Sequence, residues 1–124
     1  MELREVQTKE TEKHSQTMQL QKVLQTYNLS LNGVINIIRF LDRKPYLLAV
    51  LLEAHEQINK IFGDVPVRLT VALDPEEGWE TLSGIIKVKL PVTDALTLLD
   101  RFETEWFAKL ENIGTELNFD VEII

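Results

Sequence analysis

The stretch that most constrains this chain is 91–114, PVTDALTLLDRFETEWFAKLENIG. Ala95, Leu99, Phe102, Trp106, Leu110 and Ile113 recur at steps of three or four, which puts them on one stripe of a helix. Asp94, Glu103 and Lys109 fall elsewhere on the wheel. A segment with two-residue periodicity flanks the helix on each side. In 82–90, Leu82, Ile86, Val88 and Leu90 alternate with Ser83, Ile85, Lys87 and Lys89. In 116–124, Leu117, Phe119, Val121 and Ile123 alternate with Asn118, Asp120 and Glu122. Each reads as a half-buried strand. A strand–helix–strand crossover within one sheet is right-handed as a rule, so the helix must cover one sheet face. The two strands are expected side by side and parallel, with Lys87 and Lys89 facing Asp120 and Glu122.

The rest of the chain supplies the other layers. Val67, Leu69, Val71 and Leu73 alternate with Arg68, Thr70 and Ala72, a further strand. The turn-rich run Asp74-Pro-Glu-Glu-Gly-Trp-Glu80 joins it to 82–90 as an antiparallel hairpin. Upstream, 46–62 is apolar early, at Leu47, Leu48, Val50, Leu51 and Leu52, and thins to Ile58, Ile61 and Phe62. It reads as a helix with Pro45 in its first turn and Gly63 as its cap. Leu20, Val23, Leu24 and Tyr27 share one helical face, with Asn28 a stop. Ser30 is placed to cap a short helix over 34–41, where Val34, Ile37, Ile38 and Leu41 repeat that spacing. The β-branched run Val34-Ile-Asn-Ile-Ile also suits a strand, but the helical spacing is the better fit.

The expected fold is therefore α+β: N-terminal helices followed by α-β-β-α-β, with a small three-stranded mixed sheet covered on one face by helices. The alternative, should 34–41 be a strand, is a ferredoxin-like βαββαβ sheet. A length of 124 residues fits one domain, 16–124, preceded by a flexible polar arm, 1–15, that holds only Leu3 and Val6 as large aliphatics.

The segment KPYLLAVLLEAHEQINKIFG, then LDPE, then ALTLLDRFETEWF resembles a group of short bacterial proteins, mainly cyanobacterial, of unassigned function. The resemblance spans about residues 30–124. Its mark is an acidic stretch closed by two aromatics, here Glu103, Glu105, Trp106 and Phe107. The second aromatic is more often Trp in that group. The resemblance favours a helix over 34–41.

Charge and composition narrow the function. The net charge of −7 is uneven: 1–22 sums to zero, whereas 94–124 holds eight acids against Arg101 and Lys109. Nucleic-acid binding rests on Lys and Arg contacts to phosphate, so none is expected. No apolar run approaches the roughly 20 residues of a membrane span, and no membrane partner is expected. With no cysteine there is no disulfide framework or thiolate chemistry, which fits a cytoplasmic protein.

No set of residues announces catalysis. His14 and His55 are far apart, and Asn59 stands where a zinc-protease helix would carry its second His. The carboxylate pairs Glu76/Glu77 and Glu103/Glu105 have nothing near them in sequence to separate their pKa values. No catalytic residue, cofactor or metal is expected. The candidate partner-binding residues are Trp79, Glu103, Glu105 and Phe107. Trp79 is an aromatic on an acidic loop, and Phe107 lies about 100° around the helix from Trp106. The function expected is a small acidic protein-interaction module, antitoxin- or immunity-like or an adaptor, pairing with a protein partner or with itself as a homodimer. The alternative is a small-molecule-binding regulatory domain.

Overall fold

The computed structural model describes residues 15–73, 75–110, 113 and 116–124. The polar arm expected over 1–15 lies outside the described residues, save Ser15, which is helical. Four helices and three strands follow in the order expected. Residues 15–26 form α1. Then come α2 (Val34–Arg43), α3 (Leu47–Phe62), β1 (Val67–Leu73), β2 (Glu80–Val88), α4 (Val92–Glu105) and β3 (Leu117–Ile123). The fold is α+β.

The 34–41 stretch is a helix, so the ferredoxin-like alternative falls. Ile37, Phe40 and Leu41 are buried at helical spacing, and that burial outweighs the β preference of the branched run. Ser30 acts one turn before the helix proper: its Oγ accepts the Gly33 N–H at 3.0 Å, and its carbonyl accepts the Val34 N–H at 3.1 Å. Asn28 does more than end α1. Its N–H donates to the Val67 carbonyl at 2.8 Å and its carbonyl accepts the Leu69 N–H at 3.0 Å, capping the start of the outer edge of β1.

The sheet has the order β1-β2-β3. β1 and β2 are antiparallel, with Leu73 opposite Glu80; β2 and β3 are parallel, with Leu82 beside Leu117 and Val88 beside Ile123. Lys87 registers with Glu122 as expected, but β2 stops at Val88, so Lys89 faces neither acid, and Asp120 lies beside Ile85. Val67, Leu69, Leu82, Ile86, Val88, Leu117 and Phe119 are buried on one face under the helices. On the other face Arg68, Ala72, Asn118, Asp120 and Glu122 are exposed.

The helix expected across 91–113 is shorter than its stripe. It ends at Glu105, breaks at Trp106 (φ −137°, ψ −59°) and continues as a 3₁₀ turn, Phe107–Lys109. The aromatic pair explains the break. In a continuous helix Phe107 would swing about 100° away from Trp106 and off the core stripe. With the break, Phe102, Trp106, Phe107 and Phe119 gather into one aromatic cluster. Phe102 meets Phe119 edge-on at 5.2 Å and Trp106 at 5.4 Å, distances at which ring pairs attract.

Candidate functional site

Because β2 and β3 run parallel, they start at the same end of the sheet, where β1 finishes. The α2–α3 corner arrives there too. Arg43, in the last turn of α2, reaches Glu80 at 3.2 Å, and Lys44 reaches Glu116 Oε1 at 3.2 Å. Lys44 Nζ also sits 5.2 Å from the centre of the Phe40 ring, a cation–π contact that helps aim it. The Tyr46 hydroxyl donates to Glu116 Oε2. That hydrogen bond is the main cause holding the Glu116 carboxyl below its ordinary value of 4.5, with Lys44 adding to it against partial desolvation. The same bond raises the Tyr46 hydroxyl. Two acids at this end are thereby matched by two cations.

The β1–β2 connection projects from the same end. Trp79 is 51% exposed on it, and Leu73, the last residue of β1, is 66% exposed. Pro75, Glu76, Glu77 and Gly78 lie between, and Gly78 has φ 77°, a turn conformation that side chains disfavour. The result is an acidic hairpin tip bearing two apolar side chains.

The other three candidate residues lie at the end of α4. Glu103 is half-buried. Glu105 is exposed and pairs with Arg101 Nε at 2.9 Å, one turn away. Phe107 is half-buried, stacked on Phe102 at 6.2 Å and edge-on to Phe119 at 5.5 Å. Its ring belongs to the inner cluster. Trp106 is more enclosed, at 9% exposure, and its indole N–H donates to Glu53 Oε1 on α3 at 3.0 Å. Of the four candidates, Trp79 alone presents a large exposed apolar side chain. Trp79 and the α4 end lie toward the same end of the sheet.

Sequence reading did not single out Leu73, Arg43, Lys44, Tyr46 or Glu116. Leu73 continues a clean alternation, so nothing local marks it as overhanging the core. Tyr46 and Glu116 are 70 residues apart, and no local pattern links them.

Elsewhere, His55 is half-buried and meets Tyr27 edge-on at 5.8 Å. The Tyr27 hydroxyl donates to the Leu51 carbonyl at 2.5 Å, and burial pushes its pKa strongly upward. No group of three or more His, Cys, Asp or Glu able to hold a metal ion occurs among the described residues. No helix among them is long and apolar enough to cross a membrane. A groove of about 340 Å³ lies between α1, α2 and the start of α3, floored by Leu20, Ile38, Leu41 and Leu48 and edged by Gln16 and Asp42. No protein-family model, curated protein or solved structure matches the chain.

Proposed function

We propose that the protein is a cytoplasmic interaction module, not an enzyme, that docks a basic protein partner through the acidic hairpin tip around Trp79. The observation that carries this reading is the exposure of Trp79, 51%, on an acidic hairpin tip that also exposes Leu73, 66%. An exposed indole has a large area to bury and few rotamers to lose, and such residues often dominate binding energy. The surrounding acids would steer a basic surface toward it. The compartment rests on composition alone.

The test is affinity purification with the tagged full chain, wild type beside Trp79→Ala. A basic protein retained by the wild type and lost by the variant, with the thermal midpoint unchanged, is the expected result. Equal recovery by both chains, or no specific protein with either, sinks the proposal.

A second reading, a small-molecule-binding regulatory domain, draws on the groove of about 340 Å³, which has the size of a small ligand site. It lies between helices rather than between helices and sheet. This reading requires small amphiphilic compounds to raise the thermal midpoint, and an Ile38→Trp filling of the groove to abolish that rise.

A further inference from the structure

We propose that the free edge of β3 accepts an added β-strand from a partner protein, and that the strand it selects alternates Lys or Arg with Val or Ile. This goes beyond the hairpin-tip reading, uses different residues and stands or falls separately.

The backbone supplies the template. Even-numbered residues of β3 bond to β2, from the Leu82 N–H donated to the Glu116 carbonyl at 2.9 Å to the Ile124 N–H donated to the Val88 carbonyl at 2.9 Å. In a parallel ladder the amides of Phe119, Val121 and Ile123 then point outward. Among the described residues no strand lies beyond them. An edge of this kind invites pairing, and added strands are a recurrent mode of peptide recognition.

The side chains supply the selectivity. On the open face, Asp120 and Glu122 stand two residues apart and are both exposed. On the helix side, Val121 is half-buried and Ile123 is 44% exposed. A right-handed β2–α4–β3 crossover turns one flank of α4 toward this edge. That flank carries Val92 and Leu96, 60% and 52% exposed. An incoming strand thus meets carboxylates on one face and an apolar shelf of Val92, Leu96, Val121 and Ile123 on the other. Alternating basic and apolar residues satisfy both.

The same features work against a second copy. Antiparallel pairing of β3 with itself about Val121 would set Asp120 opposite Glu122 twice, and like charges directly opposite are unfavourable. The Val121 N–H is already taken by Asp120 Oδ1 at 2.8 Å, a local guard on the edge. A cation from a partner can draw that carboxylate away, whereas another carboxylate cannot.

The experiment uses the ¹⁵N-labelled full chain and a synthetic peptide of about nine residues alternating Lys and Val, a length that matches one strand. A scrambled peptide of the same composition and an alternating Glu/Val peptide serve as controls. The expected result is amide shifts centred on Phe119, Val121 and Ile123 with the Lys/Val peptide, weakening as salt rises. The joint variant Asp120→Lys/Glu122→Lys changes only exposed side chains and is expected to bind the Lys/Val peptide about tenfold more weakly and to turn toward the Glu/Val peptide. Trp79→Ala leaves this binding intact, which separates failure here from failure of the hairpin-tip reading. Equal binding of the scrambled peptide, shifts mapping elsewhere, no binding at millimolar peptide, or β3 pairing between two copies overturns the proposal.

Discussion

Gly84 lies directly beneath the ring of Phe119, its neighbour across the parallel ladder. A Cβ built at Gly84 would come 2.6 Å from two carbons of that ring. The ring has little room to yield, because Phe102 and Phe107 close on it at 5.2 and 5.5 Å. Gly84→Ala is therefore expected to destabilise the fold by about 1–3 kcal/mol, the usual range for overpacking a core. Urea denaturation measures it. Adding Phe119→Leu, which removes the ring, should cost less in the Gly84→Ala background than in the wild type. Additive costs would show that the two positions do not compete for the same space.

The break after α4 sets Trp106 against α3, and its stability contribution can be divided. Trp106→Phe keeps an aromatic ring but loses the donor that Glu53 accepts at 3.0 Å, so a cost of about 1–2 kcal/mol is expected, including the smaller ring. Trp106→Ala empties a site only 9% exposed and should cost about 3–5 kcal/mol. Calorimetric unfolding of both variants decides it. An alanine variant as stable as wild type would mean that the indole is not part of the core.

Element types and order are legible in the sequence because the periodicities are long and clean. Leu117 to Ile123 alternates without interruption, Leu82 to Val88 does so apart from Gly84 and Ile85, and Leu47 to Phe62 is apolar enough at helical spacing to read as a helix. The end of α4 is not legible. The stripe runs on through Trp106, Leu110 and Ile113, so periodicity predicts a helix as far as the next glycine. What ends it earlier is tertiary: two adjacent rings both pack on Phe102, and helical geometry cannot deliver both. The candidate site divides in the same way. Trp79 is visible as an aromatic on an acidic loop, whereas the Lys44–Glu116–Tyr46 cluster exists only once β3 lies near the α2–α3 corner.

The two tryptophans give a direct optical test. Trp79 is 51% exposed and Trp106 is 9% exposed. In Trp79→Phe the remaining emission should be blue-shifted and poorly quenched by iodide or acrylamide. In Trp106→Phe it should be red-shifted and strongly quenched. Trp79→Phe should also leave stability within about 0.5 kcal/mol of wild type, as expected for an exposed position away from a structural feature. Equal quenching of the two variants would contradict both the exposure of Trp79 and the enclosure of Trp106.

The Glu116 cluster predicts a specific acid sensitivity. Its carboxyl is lowered by the Tyr46 hydrogen bond first and by Lys44 next. A carboxyl held lower in the folded chain stabilises it fully above the unfolded value, about 4.5, and loses that contribution as pH falls through the folded value. Stability measured by urea midpoint should therefore drop between neutral pH and about pH 3, in part through this group. Glu116→Gln should cost about 0.5–1 kcal/mol at pH 7, the range of a partly exposed ion pair, and should show a shallower acid decline than wild type. Tyr46 acts at the other end of the scale. Its hydroxyl is raised above the ordinary 10.0, so its contribution holds below that value and is lost as pH rises through the folded value. If Glu116→Gln and wild type lose stability in parallel from pH 7 to pH 3, the cluster is not coupled to folding, and the α2–α3 corner is held against the sheet by the Arg43–Glu80 pair and its apolar contacts.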